Sequence, residues 1–187
     1  METAKQLRPV HKEEVQLELK AGTSAILEKL EGLSVRINRV LAVIAGISMV
    51  LTALLITANV IIRRLYEPIP GVGEIAGWMS AVTVAFALGY TQVHRGHIDM
   101  DLLLDKFPVR IHQIVLGLMM LISTAFFAFV SYKLFGYATN TRLSGALSET
   151  LAVIYYPYIY LLAIGFAGLT IALLADTIKL LIKGEQP

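Results

Sequence analysis

Four stretches of this chain carry no Asp, Glu, Lys or Arg: Val40 to Ile62, Ile75 to Val93, Ile111 to Tyr132 and Leu151 to Ala175. Each holds roughly 19 to 25 residues, enough to cross a ~30 Å hydrocarbon layer as a helix rising 1.5 Å per residue. Inside such a layer every backbone N–H and C=O must be satisfied within the protein, which leaves helices or a closed barrel. Runs of this length and apolarity select helices. The sequence therefore predicts an all-α integral membrane protein built as a four-transmembrane-helix bundle. Charged residues make up only 16% of the chain, against about 25% in soluble domains.

Three parts follow from this pattern. Residues 1–39 form a polar N-terminal segment, 40–175 the membrane domain, and 176–187 a short tail with Lys179 and Lys183. The first 22 residues mix charge and apolarity without a helical period and read as loose. From Ala25 onward, Ile26, Leu27, Leu30, Leu33 and Ile37 recur at helical spacing, which predicts an N-terminal amphipathic helix on the membrane surface. A plain extension of the first span fits the same residues. The first 39 residues hold no apolar signal region.

The loops carry their own logic. Pro68, Pro70, Gly71 and Gly73 stop a helix and turn the chain back, and Glu74 suits the N-terminal end of the second helix. Lys133 to Thr150 reads as a longer loop of the kind that serves recognition. Between the second and third spans, Gly96 ends a helix, Asp101 caps a short turn and Pro108 suits the first turn of the next helix. Arg95, His97, Lys106 and Arg110 lie there at the depth of lipid phosphates, fit to anchor the loop on membrane phospholipids. Orientation follows from cation asymmetry. Lys29, Arg36, Arg39, Arg95, Lys106, Arg110, Lys179 and Lys183 flank one side, against Arg63, Arg64, Lys133 and Arg142 on the other. The richer side, with both termini, is predicted to be cytoplasmic.

Within the spans the clearest signal is for packing. Gly77, Ala81, Ala85 and Gly89 recur every fourth residue and predict a seam of close helix approach, toward another helix of the chain or toward a partner. Gly168 and Ala172 offer a second such contact, and Asn59 and Gln92 read as interhelical hydrogen-bonding groups. Arg63 or Arg64 is expected to pair with Glu74 across the outer turn. Chemistry is sparse. A secondary transporter places ionisable groups or broken helices near mid-membrane, and these runs offer neither there. The pattern predicts an accessory scaffold, with no catalytic, substrate-binding or metal residues and no cofactor. His94, His97 and His112 sit at a span edge and read as polar anchors. The absence of cysteine excludes disulfides and thiolate metal sites, and a net charge of +2 gives no reason to expect nucleic acid.

The order Arg95-Gly96-His97-Ile98, then Asp101 and Pro108, with Arg63, a proline-bearing turn and Glu74 on the opposite side, resembles a known pattern. It is that of the small membrane (Q) subunit of tripartite ATP-independent periplasmic (TRAP) transporters. The layout is similar from about Val40 to Ala175; the doubled Arg63-Arg64 and the extra carboxylate Asp99 depart from it. The resemblance implies a bacterial inner-membrane scaffold in a sodium-coupled importer of organic acids. Its partners would be the large membrane subunit, which carries substrate, and a periplasmic substrate-binding protein that docks on the assembly. Two alternatives stand beside it. One is a membrane enzyme acting on lipid headgroups through Asp99, Asp101 and Asp105; the other is a self-sufficient homo-oligomeric transporter.

Overall fold

The computed structural model describes the backbone of residues 3–94 and 109–183, and the side chains of residues 27–94 and 114–180. The described residues form four helices: α1 (Thr3–Leu65), α2 (Val72–Val93), α3 (Val109–Ser144) and α4 (Tyr156–Lys183). All four are long and apolar enough to cross a membrane, over Leu27–Leu65, Val72–Val93, Ile114–Ser144 and Tyr156–Leu180. The protein is an all-α membrane protein.

The layout centres on α4, which packs against the other three helices, while α1 and α2 also pack on each other. The core lies where α1, α2 and α4 meet: Leu41, Ala45, Val82, Ala85 and Phe86 are buried, with Ile37, Leu162 and Phe166 against them. α3 lies on the far flank of α4, held by the stacked Phe127 and Phe166 rings with centroids 5.9 Å apart. Ser131 Oγ donates to Ala163 O at 3.0 Å across the same contact, and the Thr124 and Thr177 hydroxyls share a hydrogen bond of 3.1 Å. Large apolar side chains of α1 and α3, such as Val43, Ile47, Leu54, Leu118, Ile122 and Phe129, point outward. That is the expected outer surface of a fold whose solvent is hydrocarbon.

α1 departs from the sequence reading. It runs unbroken for 63 residues, about 95 Å at 1.5 Å per residue. It takes in most of the segment read as loose and runs on into the first span as one helix. The physical reason is local: no proline lies between Val10 and Glu67, so nothing forces the backbone to break. The apolar stripe of the expected surface helix also has another use. Leu27 is buried and Leu30 and Ile37 partly so, although Leu33 is exposed. Beside them Glu31 Oε1 pairs with Lys179 Nζ of α4 at 3.1 Å. The helix continues into the first span without a break.

The other elements shift at their ends. α3 continues past Tyr132 to Ser144, so much of the expected loop is helical, and the chain turns at Gly145 with φ 64°. α4 begins at Tyr156, with Pro157 in its first turn, where a missing N–H costs nothing. Between them Leu147 and Ile154 form an antiparallel bridge, closed by Ser148 N donating to Val153 O at 2.9 Å.

Candidate functional site

Among the described residues, the α2 and α4 backbones come unusually close where a side chain of α1 meets them. A Cβ added at Gly165 of α4 would lie 2.7 Å from Phe86 Cδ1 and 2.9 Å from both the backbone C and the Cβ of Ala85 on α2. One turn further along, a Cβ at Gly168 would lie 2.8 Å from Leu41 Cδ1 and 3.1 Å from Asn38 Oδ1 of α1. A Cβ at Gly89 would collide with Asn38 Oδ1 and sit 3.2 Å from Leu169 N. α2 and α4 therefore meet glycine against alanine, and α1 inserts a polar side chain between them.

That side chain is Asn38, which is fully buried. Its Nδ2 donates to Gly168 O at 3.2 Å and to Ser34 O at 3.0 Å, with Ser34 Oγ at 3.4 Å. Toward the end of the bundle that carries both termini, the polar contacts continue. Gln92 Nε2 of α2 donates to Asp176 Oδ2 of α4 at 2.9 Å, next to the Glu31–Lys179 ion pair. A cavity of about 200 Å³ lies among Glu31, Ser34, Val93, Ala172, Asp176 and Lys179. Elsewhere in the spans several threonine hydroxyls bond back to their own helix, as Thr52 does to Ser48 O (2.7 Å) and Thr83 to Met79 O (2.8 Å), whereas Ser48 Oγ crosses from α1 to Met79 O of α2 at 3.2 Å.

The opposite end is closed by a cap. Glu74 Oε1 accepts the N–H of Thr150 at 2.8 Å, tying the α3–α4 loop to the start of α2. Gly71, with φ 76°, gives up its Cβ position to the side chain of Leu151. Trp78 packs on Tyr155 and Tyr158, with ring centroids 6.2 and 5.1 Å away. Around the α1–α2 turn, Asn59 Oδ1 accepts Ile69 N at 3.2 Å, serving a loop rather than a neighbouring helix.

The residues singled out from sequence divide accordingly. Of the seam, Ala85 and Gly89 are buried at the helix intersection, whereas Gly77 and Ala81 face out of the bundle. Gly77 has nothing within 4 Å of a built Cβ. The expected pairing of Arg63 or Arg64 with Glu74 does not form among the described residues. Both arginines are exposed, and Glu74 turns to the Thr150 amide instead, a donor that the turn of the other loop delivers. Gln92 bridges two helices as expected. His94 caps its own helix: Nδ1 lies 3.1 Å from Tyr90 O, and its ring stacks 4.0 Å from that of Tyr90. Arg95, Gly96, His97, Asp101 and Pro108, with Asp99 and Asp105, lie outside the described residues. Asn38 escaped the sequence reading; its signal was an amide on the same helical face as Ser34, Leu41 and Ala45.

A family model described as "Tripartite ATP-independent periplasmic transporters, DctQ component" matches residues 52–183. No curated protein and no solved structure matches the chain.

Proposed function

The chain belongs to the DctQ component family of tripartite ATP-independent periplasmic transporters, and on that premise we propose that it acts as a static scaffold within a sodium-coupled importer of organic acids. The family is a transporter component rather than an enzyme family, so the headgroup enzyme reading loses its ground. Membership implies association with a large membrane subunit and a periplasmic binding protein.

The observation that carries the scaffold reading is how the span polarity is used. Asn38 donates to Gly168 O and Ser34 O, and Ser131 to Ala163 O. Threonine hydroxyls return to their own helices. A transport site needs polar groups left open at mid-depth for substrate and coupling ion. Here the cross-helix polar groups hold helix to helix. In this reading the substrate and sodium sites belong to the large subunit. The termini face the cytoplasm of a bacterial inner membrane, a reading that the cation asymmetry supports. The loop-bearing end, capped by Glu74 and Thr150, faces the periplasm, where the binding protein docks. Arg63, Glu74, Gly77 and Ala81 serve partner or lipid contacts. The loop with Arg95, Gly96, His97, Asp101 and Pro108 anchors the hairpins on membrane phospholipids.

Reconstitution tests this division of labour. Proteoliposomes holding the large subunit, this chain and the binding protein should take up a labelled organic acid under an inward sodium gradient. Omitting this chain should lower the rate without changing which acids are carried. Uptake by this chain alone, or a changed substrate preference when it is mutated, would overturn the assignment.

A further inference from the structure

A buried amide among membrane spans is unfavourable unless its polar atoms are used, and using them fixes where the helix can sit. Asn38 uses its donor group in this position. Its Nδ2 needs acceptors and finds two carbonyls, Gly168 O on α4 and Ser34 O on its own helix. These acceptors also decide the orientation of the amide, because the reverse would set Oδ1 against two carbonyl oxygens. Oδ1 then lies over Gly89 and has no N–H or O–H partner. Only a residue without a Cβ leaves room there, and a Cα–H is the donor that remains. The arrangement needs Asn38, Gly89 and the Gly168 carbonyl at one level of the bundle.

We propose that Asn38 is a register lock that fixes the depth and rotation of α1 against the α2–α4 pair. The neighbouring residues of α1 explain why a lock is required. Above it lie the apolar Leu41 and Ala45, then one further cross-helix bond, Ser48 Oγ to Met79 O of α2 at 3.2 Å, and much of the rest of α1 is an apolar surface facing outward. Apolar contacts of that kind are nearly equivalent after a shift of one helical turn, about 5.4 Å. Asn38 is not equivalent: a slip by one turn carries the amide away from Gly168 O and into a side-chain wall or hydrocarbon. A single buried polar residue sets register in the same way in coiled coils. The lock also sets the direction of the part before Leu27, which continues the locked segment as one helix.

The chain has no cysteine, so introduced thiols report position without background. In the full-length chain purified in mild detergent, Cys substitutions at Glu31 and Lys179, whose side chains meet at 3.1 Å, give a cross-link with a short bifunctional thiol reagent. Asn38→Ser is the main variant, because serine can bond back to its own helix and keeps α1 foldable. The lock predicts a severalfold fall in the 31–179 cross-link, with new products when the Cys on α1 is moved to Glu28 or Val35. An unchanged cross-link and no new product would overturn it. A second arm uses the collision at Gly89. Gly89→Ala should disturb the cross-link strongly when Asn38 is present and far less in the Asn38→Ser background. Equal damage in both backgrounds would mean that Leu169 N, not Asn38, demands glycine at 89, and would reject the lock. Both readouts lie within this chain, so they stand or fall separately from the scaffold reading, which co-purification and uptake test.

Discussion

Leucine at position 85 is expected to separate α2 from α4, while leucine at position 81 leaves the isolated fold intact. Both positions sit on the same i, i+4 stripe, but their surroundings differ. Ala85 is 2% exposed, and its backbone C and Cβ lie 2.9 Å from where a Cβ on Gly165 would be. An isobutyl group has nowhere to go at that crossing except into Phe86, Leu162 or the α4 backbone. Overpacking a full site costs about 1–3 kcal/mol and occasionally more, and this crossing is backbone on backbone, which cannot yield by changing a rotamer. Ala81 faces out of the bundle, and an exposed substitution there should stay within about 0.5 kcal/mol. Unfolding of the purified subunit in mild detergent, titrated with a denaturing surfactant, reads both. Equal shifts for the two variants would contradict this account of the intersection. A loss of co-purification confined to Ala81→Leu, with the fold intact, would put the large subunit on that face.

Gly165→Ala should be strongly damaging, and Gly136→Ala should be harmless or stabilising. In an exposed helix, alanine is favoured over glycine by about 1 kcal/mol through backbone entropy alone. Gly136 is exposed on α3 with nothing within 4 Å of a built Cβ, so it should show that gain undiminished. At Gly165 the same methyl would meet Phe86 Cδ1 at 2.7 Å and the Ala85 backbone at 2.9 Å. Phe86 is itself fully buried and cannot swing clear. The helices must then part along their length, at about 1–3 kcal/mol, which exceeds the propensity gain. The same surfactant titration should move the Gly165→Ala and Gly136→Ala midpoints in opposite directions.

These contrasts also show what the sequence could and could not convey. Charge-free runs long enough to cross a membrane declared the four helices, because hydrocarbon leaves the backbone few alternatives. The seam was half legible. Four residues turn a helix through about 400°, so an i, i+4 stripe drifts about 40° at each step. Gly77 and Ala81 have rotated off the contact that Ala85 and Gly89 make. Helix ends were harder, since Lys133, Asn140 and Arg142 look like loop residues once hydropathy falls. α3 continues through them because polar residues are good helix formers beyond the hydrocarbon, and it stops only at Gly145. Asn38 was hidden by Arg36 and Arg39, exposed residues on either side of it that made the segment look like a membrane surface. The partner of Glu74 was the Thr150 amide, 76 positions away and set by the turn between α3 and α4, which no local pattern encodes.

The central claim is that this chain is a fixed scaffold bound to a much larger membrane subunit. Its most direct test is purification from membranes that also express the large subunit and the binding protein, with stoichiometry measured by native mass spectrometry. The account predicts a stable one-to-one complex of this chain with the large subunit, persisting when substrate and sodium are removed. Recovery of this chain only as a monomer or homo-oligomer, with the large subunit running free, would contradict it.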